Sequence, residues 1–112
     1  MCLFCRMVQR EVQAKIVDED DDLLAFHDIN PAAPTHVLIV PKKHITSLAD
    51  ASDADMALLG KLLRAAHRIA EKAGIDKTGY RTVVNTGPNA GQSVFHLHVH
   101  VIGGRPMAWP PG

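Results

Sequence analysis

Neither sign of charge is in excess in this chain: 12 Lys and Arg stand against 12 Asp and Glu, for a formal net charge of zero. No overall field therefore draws in a polyanion, which argues against a duplex-binding protein while leaving room for a small anion held locally. Long apolar runs are also missing, and none approaches the length of a membrane span. No secretory signal pattern precedes the first structured segment, so the expected compartment is the cytoplasm. Cysteine is limited to two residues, Cys2 and Cys5, which cannot form a secreted disulfide framework. Internal repeats, low-complexity tracts and linkers are absent as well. What remains is a 112-residue chain with 46% hydrophobic residues, enough for one globular domain with a modest core.

Local patterns place the elements. Residues 3–9 fit a short helix. Ala14–Glu19 and Leu23–Asp28 read as strands around the acidic run Asp18-Glu19-Asp20-Asp21-Asp22, a solvated hairpin turn because crowded carboxylates favour water. That run lacks the internal Gly and terminal Glu of a calcium loop. Asn30-Pro31-Ala32-Ala33-Pro34 is a loop, each proline pushing its predecessor toward extended backbone. His36–Val40 is a β-branched strand ended by Pro41. The best helix runs from Asp53 to Ala73, with Ser52 as cap, Asp55 in the first turn and Gly74 past the end. Its apolar stripe is Met56, Leu59, Leu62, Leu63, Ala66, Ile69, Ala70 and Ala73. A strand Tyr80–Asn85 and a Gly-rich loop Thr86–Ser93 follow. The expected fold is α+β: an antiparallel sheet of about five strands, one long helix and a short N-terminal helix. Residues 105–112 form an extended tail that carries the only Trp and must find order by packing on something.

The richest segment is Phe95-His96-Leu97-His98-Val99-His100-Val101-Ile102. In a strand, alternation puts His96, His98 and His100 on one face and Phe95, Leu97, Val99 and Val101 on the other. Three imidazoles on one face suit metal binding or phosphoryl and acyl transfer, because a neutral ring is both ligand and nucleophile. The loop Asn85-Thr86-Gly87-Pro88-Asn89-Ala90-Gly91-Gln92-Ser93 runs directly into it. Its glycines free backbone N–H groups to face an anion, and Ser93 adds a hydroxyl donor; by itself the loop reads as an ordinary hairpin connection, and its place just before the histidines makes it a candidate phosphate cradle.

Asp28, just before the Pro loop, could accept bonds from both hydroxyls of a ribose; its plainer reading is a turn residue. His36 opens the next strand and could reach the same site. His27 and His67 stand in no motif and read as structural or exposed. Cys2 and Cys5, spaced C-x-x-C, are half of a tetrahedral zinc site whose other ligands would be His44 and His96; the plainer reading is two reduced thiols.

The run His96-Leu97-His98-Val99-His100-Val101-Ile102 fits the HφHφHφφ signature (φ apolar) of the histidine triad superfamily. The chain resembles its Hint branch, the purine nucleoside phosphoramidases, over nearly its full length. The matching segments include Leu24-Ala25-Phe26-His27-Asp28-Ile29, Ala33-Pro34-Thr35-His36, Pro41-Lys42-Lys43-His44, Gly91-Gln92-Ser93-Val94 and Trp109-Pro110-Pro111-Gly112. The resemblance implies hydrolysis of a nucleoside 5′-phosphoramidate of the AMP or GMP type, with His98 as nucleophile. It implies that His100 and His36 support the phosphate and that His96 lines the strand beside them. Ser93 would bond the leaving amine or a phosphate oxygen. Asn85, Gly91 and Gln92 would help hold the nucleotide, and Asp28 the ribose. Leu3, Phe4, Phe26 and Ile29 would form the base pocket, with no metal needed for catalysis. C-x-x-C departs from animal-type Hint proteins but resembles a zinc-bearing bacterial subset, in which His44 and His96 complete the site. The family is dimeric, each tail, here with Trp109, approaching the partner's site.

Three other functions compete: a dinucleoside polyphosphate hydrolase or nucleotidyltransferase of another triad branch, a nucleotide-binding regulatory protein, and a zinc hydrolase using the histidines as ligands.

Overall fold

The computed structural model describes residues 2–112. The elements run in the order α1 (Leu3–Val8), β1 (Ile16–Glu19), β2 (Leu23–His27), β3 (Thr35–Pro41), α2 (Met56–Lys72), β4 (Tyr80–Val83) and β5 (Val99–Gly103), with single 3-10 turns at Leu48–Asp50, Asp53–Asp55 and Pro88–Ala90. The five strands form one antiparallel sheet in the order β1-β2-β3-β5-β4, so the expected α+β architecture is present.

Strand alternation divides the core into two halves. Leu23, Ala25, Val37, Ile39, Leu97, Val99 and Val101 face α2, where Leu62, Ala65, Ala66 and Ile69 cover them. The opposite face carries Leu24, Phe26, Leu38 and Val40 and is covered at one end by Phe4 of α1. Since α1 has only six residues, much of that second face stays open, and the histidines project from it.

The acidic turn is tighter than a solvated loop. One Asp20 oxygen accepts the backbone N–H groups of Asp22 and Leu23, both at 2.8 Å. Lys61 of α2 reaches Asp22 at 2.6 Å, and Lys42 and Arg10 pair with Glu19. Helix α2 begins later than expected, at Met56, because Ser52 and Asp55 form a capping box around the 3-10 turn Asp53–Asp55. Its expected stripe is also trimmed. Met56, Leu63 and Ala73 are exposed, while Ala65 is buried in their stead.

The histidine strand departs most from expectation. Regular pairing starts at Val99, opposite Ile39, so only His100 lies in β5. Beyond that point β3 reaches Pro41, which has no N–H to offer a ladder. The Leu97 N–H instead goes to the Ile45 carbonyl at 2.6 Å. Alternation persists in the irregular segment, with His96, Leu97 and His98 all buried, but Phe95 is 57% exposed and not part of the inward face.

Candidate active site and metal centre

The register of β3 and β5 creates the first contact. His36 stands opposite Ile102 and Leu38 opposite His100, so His36 and His100 are diagonal neighbours on the open face. Their rings meet with His36 Nε2 2.8 Å from His100 Nδ1. The direction of that bond follows from the loop: the Ala32 N–H donates to His36 Nδ1 at 3.0 Å. An accepting Nδ1 carries no proton, so the His36 proton sits on Nε2 and is donated to His100 Nδ1. The His100 proton is thereby placed on Nε2. That nitrogen is buried and has no hydrogen-bond partner among the described residues. Burial, reinforced by the neighbouring His98 and His36, lowers the His100 pKa to about 4, so the ring is neutral near pH 7.

His98 is set in the same way. Its Nδ1–H donates to the His96 carbonyl at 2.7 Å, leaving Nε2 as the free ring nitrogen. The rings of His98 and His100 lie 5.0 Å apart, and the Phe4 ring stands edge-on to His98 at 5.2 Å. The open face thus presents an unprotonated nitrogen beside a partnerless N–H donor.

Asp28 follows β2 directly, and its two oxygens have different neighbours. Oδ1 accepts the Asn30 N–H at 2.8 Å, as a turn residue does, while Oδ2 lies 3.4 Å from His36 Nε2. Next to it opens a cavity of about 510 Å³ whose apolar wall includes Leu3, Phe4, Phe26, Ile29 and Leu38. The first four were anticipated; Leu38 follows from its place opposite Phe26 in the register. Met7, Gln13 and Lys15 also line the cavity, and nothing in the local sequence marked them.

The Gly-rich loop contributes differently from expectation at one position. Gln92 is buried, and its amide is spent on the loop itself. Oε1 accepts the Gly87 N–H at 3.0 Å, and Nε2 donates to the carbonyls of Thr46 and Val94 at 2.9 and 3.2 Å. These bonds hold the loop to the Thr46 and Val94 backbone. Gly91 takes φ +81°, a conformation that glycine adopts without strain, and Ser93 stays exposed ahead of the histidines. Asn85 is half-buried, two residues past β4. Trp109 is 82% exposed and does not line the cavity of its own chain.

A second cluster lies behind the first. Cys2, Cys5, His44 and His96 each offer a ligand atom to one point. The sulfur-to-nitrogen distances run from 3.1 to 3.6 Å, and the Nδ1 atoms of His44 and His96 are 3.1 Å apart. Four such ligands on a tetrahedral zinc would stand about 3.3–3.8 Å from one another, so the residues fit that ion. His96 Nε2–H donates to the Pro41 carbonyl at 2.7 Å, which leaves Nδ1 free to coordinate. Burial first, then the neighbouring His44 and His98, hold its pKa below the usual value, favouring the neutral ligand form. Asp28, His36 and His100 also lie close enough for a metal, but His36 Nδ1 already accepts an N–H. Coordination through Nε2 would require an imidazolate, so the tautomer chain disfavours a metal there.

Comparison with known proteins agrees with this geometry. Residues 9–107 match the family model described as the HIT domain. An uncharacterized HIT-like protein of Synechococcus elongatus is 51% identical over 110 residues, covering 98% of this chain and 96% of that protein. A 14 kDa zinc-binding protein of Zea mays is 47% identical over 112 residues, covering 98% and 87% respectively. Among solved structures, a HIT family hydrolase from Legionella pneumophila Philadelphia 1 superposes with a TM-score of 0.98 at 49% identity, covering the whole of both chains. A histidine triad protein from Clostridium difficile gives 0.93 at 42% identity, covering 96% of this chain and 93% of that one. By the family match over residues 9–107 and the superposition over the whole chain, this chain belongs to the HIT domain family of the histidine triad superfamily.

Proposed function

We propose that the protein is a phosphoramidase of the Hint branch, cleaving the P–N bond of purine nucleoside 5′-phosphoramidates. One observation carries the reading: the free Nε2 of His98 lies beside the buried, partnerless Nε2–H of His100, on the face that also carries Asp28. The first is a nucleophile and the second a donor aimed where phosphoryl charge grows.

His98 Nε2 bonds to the α-phosphorus as the bond to the amine breaks, and the leaving nitrogen takes a proton from solvent, which the attacking water returns in the second step. Water then attacks the nucleotidyl-His98 intermediate, releasing the 5′-monophosphate and restoring the ring. His100 Nε2–H bonds a phosphoryl oxygen, with His36 holding His100 in that tautomer. Ser93 bonds the leaving amine or a phosphate oxygen, and Asn85 and the backbone around Gly91 support the phosphate. Asp28 takes the ribose hydroxyls, and the apolar cavity lined by Phe4, Phe26 and Leu38 takes a purine base. Trp109 comes from the tail of a second copy to the leaving-group side. The Cys2, Cys5, His44 and His96 cluster holds zinc as a structural ion that fastens α1 to the histidine segment; no catalytic step needs it.

The runner-up is a dinucleoside polyphosphate hydrolase, which would use the same nucleophile with a different leaving group. Steady-state kinetics on AMP and GMP amides and on a diadenosine polyphosphate, with and without chelator, separate the two. The amides are expected to show the higher kcat/KM, insensitive to brief chelation. A preference for the polyphosphate overturns the assignment, and prompt loss of activity with chelator points to the zinc hydrolase instead.

A further inference from the structure

The end of β5 lies against the start of β3, with Gly103 opposite Thr35. Gly104 then turns the chain at φ +91°, so close to the Pro loop that a Cβ there would stand 3.0 Å from the Pro34 Cβ. This turn delivers Arg105 over the loop. Its guanidinium donates twice to the Ala32 carbonyl, from Nη2 at 2.9 Å and Nε at 3.3 Å, and Nη1 donates to the Pro106 carbonyl at 3.0 Å. A planar fork on one carbonyl fixes orientation as a single ammonium could not.

Ala32 is also the residue whose N–H meets His36 Nδ1. Pro31 and Pro34 on either side have no N–H, so the loop has few other means of fixing itself. Among the described residues, the Arg105 guanidinium is the donor that holds the Ala32 carbonyl. A continuous path of bonds therefore runs from the root of the tail to the active face. Arg105 holds Ala32, the Ala32 N–H fixes His36, and His36 Nε2–H fixes His100.

We propose that Arg105 is a positioning residue for the His36–His100 pair, acting through the backbone of Ala32, whose carbonyl and N–H lie in the two peptide planes that flank its Cα. This rests on the phosphoramidase reading for its kinetic test, but its structural content does not. If Ala32 drifts, Nδ1 of His36 is free to take the proton and Nε2 becomes an acceptor. His100 must then donate from Nδ1, and its Nε2 turns from a donor into a lone pair facing the phosphoryl oxygen. The relay is reversed without loss of any histidine, while the base and ribose contacts remain.

The test compares Arg105→Ala and Arg105→Lys in the wild-type and His36→Ala backgrounds, using an AMP amide. Arg105→Ala is expected to lower kcat by about tenfold or more with KM changed less than about twofold, since a small misplacement of a catalytic group is costly. Arg105→Lys, which keeps one donor, restores part of the loss. In the His36→Ala background Arg105→Ala costs nothing further, because the path is already cut. Nitrogen-15 NMR of the imidazoles gives the second readout: wild type shows His36 protonated on Nε2 and His100 on Nε2, and Arg105→Ala shows mixed tautomers. An equal loss of kcat in both backgrounds, or tautomers unchanged by Arg105→Ala, overturns the proposal. Should wild type turn over no amide at all, the phosphoramidase reading falls, and the tautomers alone decide the role of Arg105.

Discussion

His98 and His100 present opposite faces of one chemistry, and a single neighbour settles each. The His96 carbonyl holds the proton of His98 on Nδ1, and His36 holds that of His100 on Nε2. Replacing His98 with Ala removes the attacking atom and leaves Asp28 and the apolar cavity in place. The variant is expected to bind AMP about as tightly as wild type and to show no turnover, whereas wild type quenched during turnover carries a nucleotidyl adduct on His98. Activity within about tenfold of wild type, only ~1.4 kcal/mol of barrier, would remove His98 from that role. His100 has a consequence for stability. Its pKa is lowered to about 4 in the folded chain, chiefly by burial. Below the ordinary value near 6.5 the unfolded chain binds a proton that the folded ring refuses. Stability from this group is thus complete above that value and is lost as pH falls toward about 4, by at most about 3 kcal/mol. Urea midpoints across that window measure it; His100→Gln should flatten the dependence, and an unchanged slope would assign it elsewhere.

Two elements are too weak to stand alone. Helix α1 has six residues, fewer than an isolated helix needs, and its Cys2 cap and Cys5 both belong to the cluster with His44 and His96. Changing both Cys2 and Cys5 to Ser is expected to remove bound zinc, found by elemental analysis, and to lower Tm by at least about 5 °C, with a smaller effect on rate. Metal-free wild type whose melting matches that of the variant would count against a zinc site. The tail is held at two points, by Arg105 on Ala32 and by Arg81 Nη2 on the Ala108 carbonyl at 3.0 Å. Beyond them Trp109 has no cover. Deleting residues 106–112 should reorder phosphoramidates that differ in their amine and spare the smallest amide most. A common factor for all substrates would show that the tail does not read the leaving group.

At the scale of the whole molecule, one surface is left without a neighbour. Met56 and Leu63 on the outer side of α2 are 67% and 57% exposed, and β4 is an edge strand with one unpaired side. We propose that a second copy covers both at once in a symmetric pair, with β4 and α2 in the interface. Light scattering at micromolar concentration should give the mass of a dimer, and Leu63→Lys should shift it toward monomer. A wild-type monomer under those conditions rules out the pairing. The same association would bring each tail to its partner's open face, where an exposed Trp would have something to contact.

Periodicity alone was enough for the order of elements, the α+β class and the side of the chain on which the histidines fall, because these depend on neighbours in sequence. C-x-x-C as half of a candidate metal site, and the Asp28 carboxylate between a strand and a Pro loop, are local patterns visible for the same reason, whereas His44 and His96 join the two cysteines only in the folded chain. Other features depend on residues far apart in the chain. His36 and His100 meet across 64 positions because of strand register, and the start of β5 was set by where β3 reaches a proline. Gln92 looked like a ligand until its amide found Gly87, Thr46 and Val94. Ala32 and Arg105 carry no signal in their residue types; their importance comes from hydrogen bonds whose partners only folding brings within reach. Which nitrogen of each imidazole holds its proton is decided there too, since a ring's tautomer follows from the donors and acceptors around it and not from its place in the sequence.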